Sequence, residues 1–287
     1  MRPSFPARRN ALRCWRASIV ADPVLQPAPA HASAKARVRL AFHRAAATYD
    51  RAAQVQREVC ARLEAFATAH ACRRPVARVL DAGCGTGHAL ARLAALHPGA
   101  QVLALDFAPG MLARVNGHAC ICGDLERLPL AGGCIDALWS SLALQWCAPQ
   151  RALGEIARVL APGGSAWIAT LGPHTLHELR EAFHAVDRAA HVIDFHPPQT
   201  WRAAAEAAGL AVRTLERAPA WALAADLRSL LAGIKAIGAH SVGPAPRAPL
   251  GRAAWRTLEA RYETRRRPDG LLPATYDVIL LAVEKPL

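Results

Sequence analysis

Three carboxylates and three glycines stand at intervals that suit a small zwitterion carrying a sugar and a base. Asp81 precedes Gly83, Gly85 and Gly87 in VLDAGCGTG, residues 79–87. Asp106 closes QVLALDFA, 19 residues after Gly87, and Asp124 follows ACICG. Glycines at alternate positions let backbone approach a ligand closely. The helix start expected after Gly87 offers free N–H groups and a positive dipole end to a carboxylate. Asp81 supplies a fixed negative charge for an ammonium or sulfonium. A carboxylate where Asp106 stands can accept both hydroxyls of a ribose. Asp124, with Leu125 beside it, suits the amino group of an adenine. His88 occupies the place of the third glycine of a dinucleotide fingerprint, and no phosphate-binding lysine follows.

These groups need a scaffold of short buried strands that end in ligand-facing turns. ARVLD reads as such a strand and HALARLAAL as a helix packed upon a sheet. QVLALD, ACICGD, CIDALWSS and SAWIATL read as four further strands, the last two joined by a helix and a Pro-Gly-Gly turn. Ligands of doubly wound sheets sit at the carboxyl ends of the strands. Amino-acid, ribose and adenine sites in that order describe S-adenosylmethionine.

Charge marks the rest of the chain. Of 287 residues, 53% are hydrophobic, and the formal net charge is +13. Residues 1–40 carry eight basic residues against Asp22 and read as a basic, disordered tail preceding a domain over 41–287. Residues 225–268 carry nine basic residues against three acidic, while the remaining stretches balance. One basic segment on a neutral body suggests a docking face for an acidic protein; nucleic acid and membrane are not expected partners. Arginine supplies 32 of the 35 basic residues, so a compositional bias also accounts for part of the excess. Eight cysteines form no C-x-x-C pair and no zinc spacing emerges. Reduced thiols and a cytoplasmic location are expected, with no metal.

Asp81, Asp106, Asp124 and RVLAPGG together resemble the class I methyltransferases. AFHRAAATYDRAAQVQREV (41–59), SSLALQWC (140–147), TLGPHTLHELREAFHAVD (170–187), LLAGIKAIGAHSV (230–242) and LPATYDVILLAVEKP (272–286) resemble one family among them. It is the malonyl-[acyl-carrier protein] O-methyltransferase family of biotin synthesis, and the resemblance spans about residues 40–287. It implies transfer of a methyl group from S-adenosylmethionine to the free carboxyl of a malonyl thioester, with acyl-carrier protein as the acidic partner of segment 225–268. It also implies that Tyr49, on a lid-like N-terminal helix, contacts the methionine end of the cofactor. The expected fold is a Rossmann-like α/β domain. It has a seven-stranded mixed sheet, helices on both faces, and helical additions over 172–200 and 222–268 that cap the site. The sixth strand falls near 210–218 and the seventh near 274–284.

A carboxylate is ionised at neutral pH and needs no general base to attack a methyl group. No acid–base catalytic residue is expected, only positioning. Arg180 is the candidate contact for the malonyl carboxylate, against the alternative of a surface arginine paired with Glu178 or Glu181. Gln145 and Trp146 are candidate walls of the substrate pocket. One departure stands out: HVIDF places Ile193 and Asp194 where the family tends to an amide and an arginine, which puts the substrate in question. The alternatives are a methyltransferase acting on a small carboxylic acid or a quinone, a methyltransferase-like protein-modifying factor, and a cofactor-binding assembly module.

Overall fold

A computed structural model describes residues 34–237 and 250–287. The chain opens with three helices, α1 (Ala34–Ala45), α2 (Tyr49–Ala52) and α3 (Gln54–Ala69). The ligand-binding half follows as β1 (Arg78–Ala82), α4 (Leu90–Leu96), β2 (Gln101–Asp106), α5 (Pro109–Leu112), β3 (Ala119–Cys122) and β4 (Ile135–Ser141). A 3-10 turn over Leu144–Trp146 leads to α6 (Pro149–Val159) and β5 (Leu160–Leu171). Then come α7 (His177–His184), α8 (Pro198–Ala207), β6 (Ala211–Arg217), β7 (Ala220–Ala224), α9 (Leu227–Ala236), α10 (Arg252–Glu263), β8 (Leu272–Tyr276) and β9 (Val278–Glu284).

Seven strands form one sheet in the order β3-β2-β1-β4-β5-β9-β6. β1 to β5 run parallel, and β9 is antiparallel to both β5 and β6. The connections leave β1 first towards β2 and then towards β4, so the crevice at a sheet's switch point lies beyond the ends of these three strands. The central strands are buried on both faces, as their unbroken apolar runs require. Trp139 of β4 lies beside Trp167 of β5. Both pack with Val59, Cys60 and Leu63 of α3 on one side of the sheet. Leu80, Leu138 and Ile168 meet Leu153 and Ile156 of α6 and Trp201 of α8 on the other.

Three boundaries differ from expectation. Helix α1 begins at Ala34, inside the stretch read as tail, because Val38 and Ala41 bury against the domain. Residues 1–33 lie outside the described part. The strand expected over 274–284 is two strands broken at Asp277, a buried carboxylate that receives Arg217 and the amide of His174. Its first half pairs with β7 in a separate two-stranded sheet that the sequence did not suggest. Of the helices, α7 falls within 172–200 and α9 and α10 within 222–268, whereas α8 runs on to Ala207 and packs with α6 on the sheet. No helix among the described residues is long and apolar enough to cross a membrane.

Candidate active site

The loop after β1 folds over the end of β2. The amides of Gly83 and Cys84 both donate to the Leu105 carbonyl, at 2.7 and 2.9 Å. Gly83 has φ +85°, and a Cβ there would stand 2.2 Å from the Cβ of Ala143, at the threshold of the 3-10 turn. Only glycine serves at that crossing. The Gly85 amide donates to Asp106 Oδ2 at 3.0 Å and the Ala108 amide to Oδ1 at 2.8 Å. The Asp106 carboxylate is thus held in place by the chain's own amides. Burial raises its pKa to about 6, against the pull of these amides. The helix after the loop starts at Leu90, two residues later than expected. The residues that lead into this helix, Thr86, His88 and its N-cap Ala89, line the second cavity described below. Gly87, at φ +92°, turns the chain over Leu90 and Val115 and lines neither cavity described next.

Two cavities meet along this loop. One, of about 580 Å³, is walled by Lys35, Phe42, Asp106, Asp124, Leu125 and Trp146. The other, of about 600 Å³, is walled by Gln56, Arg57, Asp81 and Trp139. Tyr49, Gly83, Gly85 and Ser141 belong to both. Tyr49 lies against the glycine loop at Gly85, and burial raises its phenol so that it stays protonated. Its helix is tied to the loop by the Thr86 hydroxyl, which donates to Asp50 at 2.6 Å.

The electrostatics of the second cavity identify what it lacks. Asp81 is 2% exposed, and its Oδ2 has no hydrogen-bond partner. Burial first, and then the charge of Asp106, push its pKa up to about 8. Gln56 Oε1 and Trp139 Nε1 are equally buried and unpartnered. Unsatisfied buried polar groups are rare in folded proteins and call for an explanation. Two acceptors and one donor around one cavity match an amino-acid end, its ammonium on the oxygens. Asp106 and Asp124, at the ends of β2 and β3, line the first cavity. The residues present fit S-adenosylmethionine.

The candidate substrate residues are dispersed. Trp146 lines the cavity that holds Asp106 and Asp124, its ring edge-on to Phe42 at 5.7 Å. Gln145 donates to the Leu142 carbonyl at 2.7 Å and leaves Oε1 buried without a partner. Arg180 lines neither cavity; its guanidinium donates to the carbonyls of Pro173 and Ile193, at 3.1 and 3.3 Å. Glu181 pairs with Arg265, and Glu178 is bound to Thr275, so neither alternative carboxylate partner of Arg180 holds it. Asp194 is exposed and lines neither of the two cavities. Burial raises the Cys84 thiol, which keeps it an uncharged packing group.

Gln56, Arg57, Trp139 and Lys35 escaped the sequence reading. Gln56 carried a signal: it precedes Val59, Cys60 and Leu63 by three, four and seven positions, a polar residue on the buried stripe of α3. Lys35 was assigned to the tail.

Residues 80–168 match the family model described as a methyltransferase domain. The chain is 45% identical over 267 residues to the malonyl-[acyl-carrier protein] O-methyltransferase of Dechloromonas aromatica, covering 91% of this chain and 98% of that protein. It is 42% identical over 260 residues to the biotin biosynthesis bifunctional protein BioHC of Cellvibrio japonicus, covering 88% of this chain and 50% of that one. Among solved structures it resembles the YcgJ protein of Bacillus subtilis, with a TM-score of 0.52 at 18% identity over 78% of this chain and 98% of that chain. The last likeness concerns the fold alone. With the sheet order and the Asp81, Asp106 and Asp124 set, these matches place the chain in the malonyl-[acyl-carrier protein] O-methyltransferase family, a class I family whose methyl donor is S-adenosylmethionine.

Proposed function

We propose that the protein methylates the free carboxyl of a malonyl group carried on acyl-carrier protein, the step that lets an acyl chain for biotin be built on a disguised malonyl primer. The buried, unpartnered carboxylate of Asp81 in the second cavity carries the cofactor half of this reading. The names of relatives aligned over nearly the whole chain support the substrate half.

Asp81 and Gln56 would hold the amino-acid end, with Tyr49 above it; Asp106 the ribose; Asp124 and Leu125 the adenine. Bound there, S-adenosylmethionine would supply an electrophilic methyl on sulfonium sulfur, with the malonyl carboxylate oxygen as nucleophile and S-adenosylhomocysteine as leaving group. The nucleophile arrives ionised, its ordinary pKa being about 4, so the protein need not remove a proton. Its task is to hold two charged reactants in line and to exclude water. His88, the histidine at the cavity rim, is shifted down by burial and by Arg92 and Arg57, which keeps it neutral and suits this passive role.

For the malonyl carboxylate we keep Arg180 as the proposed contact, with Gln145 and Trp146 lining the approach. The two carbonyl acceptors leave part of its five-donor guanidinium unused and orient it near the end of β5. For the carrier we propose the face formed by α9 and α10. Arg265, Arg266 and Arg267 are engaged by Glu181, Glu263 and Asp269. Arg252 and Arg256, one turn apart on α10, are exposed, and Arg228 lies 5.1 Å over the Trp255 ring. Arg247 lies outside the described residues. A cytoplasmic location agrees with the free thiols of the seven described cysteines. The names of the relatives give no support to a small free acid, a quinone or an assembly role. Expression of the chain in a bacterium lacking its own malonyl-carrier methyltransferase tests the proposal: growth without biotin is expected, and continued biotin dependence despite soluble protein would count against it.

A further inference from the structure

The first cavity is closed on its outer side by α1, and α1 has little hold on the body. Only Val38 and Ala41 of its residues are buried. Phe42 sets its ring against Trp146 and Phe107, with centroids at 5.7 and 6.3 Å. His43 Nδ1 accepts the Gly110 amide at 2.9 Å. An ionic contact is added near its start: Lys35 Nζ stands 2.5 Å from Asp124 Oδ1 and 2.9 Å from Glu126 Oε2. Both partners are preset. Asp124 Oδ1 also accepts the Glu126 amide at 2.9 Å, and Glu126 Oε1 accepts the Ala148 amide at the start of α6 at 2.6 Å. Every contact made by the Asp124 carboxylate among the described residues falls on Oδ1, which leaves Oδ2 for a ligand donor.

We propose that Lys35 is a positioning residue for the cofactor, clamping α1 over the adenine end through the same carboxylate that receives the adenine amine. The inference rests on the cofactor reading above. Asp124 then serves two cations or donors at once, a lysine from the lid and an amine from the base. Each orients the carboxylate for the other, and the ligand cannot leave the adenine end until the lysine lets go. Burial works against the lysine's charge, but its hydrogen bonds to Asp124 and Glu126 prevail and raise its pKa, so the clamp stays charged at neutral pH. Lys35 is thereby part of the binding site, although its own helix contributes no loop or motif that marks one.

The test uses the full chain with S-adenosylhomocysteine as probe, comparing wild type with Lys35→Met and Lys35→Arg. Methionine keeps the apolar stem and removes the charge. Release of the probe, followed by stopped-flow tryptophan fluorescence, is expected to quicken about tenfold in Lys35→Met, the change produced by ~1.4 kcal/mol of lost interaction. Arginine should restore most of the difference. In hydrogen exchange, the probe should protect residues 34–45 in wild type and fail to do so in Lys35→Met, while protection of residues 79–106 persists. A wild-type release rate in Lys35→Met overturns the proposal. So does loss of protection at 79–106 together with 34–45, since a merely structural role would give that. Wild-type protein that binds no probe at all defeats the cofactor reading itself, and this proposal with it.

Discussion

Asp81 gives the cofactor site a pH signature that can be worked out from its surroundings. In the free protein, burial and the neighbouring Asp106 raise its pKa to about 8. At pH 7 about nine in ten molecules therefore hold it protonated. A ligand ammonium needs the carboxylate, so binding must expel that proton. Ionising Asp81 at pH 7 then costs on the order of 1 kcal/mol, roughly a factor of ten in affinity. Affinity for S-adenosylhomocysteine should then rise about tenfold from pH 7 to a plateau above pH 8, and fall by about ten for each unit below 7. Calorimetry in buffers of differing ionisation enthalpy should count about 0.9 proton released per ligand bound at pH 7. Asp81→Asn removes both effects: binding weakens by at least ~2 kcal/mol, about thirtyfold, and its slope with pH reduces to the ligand's own titration. A raised acid pKa also stabilises the free protein most below the ordinary value and loses that stability as pH climbs towards 8. Asp81→Asn should accordingly be no less stable than wild type at pH 8, which separates lost binding from lost folding. Wild-type binding with no proton release, or an Asn variant that binds as tightly as wild type, would refute the reasoning.

Gly83→Ala sets a Cβ 2.2 Å from that of Ala143 at a positive φ, and should abolish cofactor binding and lower the melting temperature by several degrees, read by calorimetry. Arg180→Gln should raise KM for the malonyl substrate about tenfold while leaving the dissociation constant of S-adenosylhomocysteine unchanged; a shift in both would assign Arg180 to holding the 186–196 segment alone. Arg252→Glu with Arg256→Glu should raise KM for the malonyl carrier protein about tenfold or more at low salt, with the difference shrinking as salt is added, and leave the melting temperature within a degree or two.

Much of the sheet was legible because parallel strands buried on both faces write themselves as apolar runs, as VLDA, VLALD and IDALWSS do. That Asp81, Gly83, Gly85, Asp106 and Asp124 gather at one edge of the sheet was legible for a related reason: the chain places each next to the end of its strand. What could not be read depends on distant chain segments. Nothing near Asp277 in sequence announces that Arg217 and the His174 amide will hold its carboxylate and break a strand there. Lys35 sits 89 residues from Asp124, and its basic neighbours made it look like one more charge of a tail. Arg180 shows the converse. Its charge and its place after β5 suggested an anion site, and only the fold reveals two carbonyls already claiming part of its guanidinium.

The most direct measurement is mass spectrometry of malonyl-acyl-carrier protein after incubation with the purified protein and S-adenosylmethionine. The expected result is a gain of one methyl mass on the malonyl species, none on acetyl-acyl-carrier protein, and S-adenosylhomocysteine in equal amount. An unchanged malonyl species, in a sample that still binds S-adenosylhomocysteine, would contradict the assignment of the carrier-bound malonyl carboxylate as substrate.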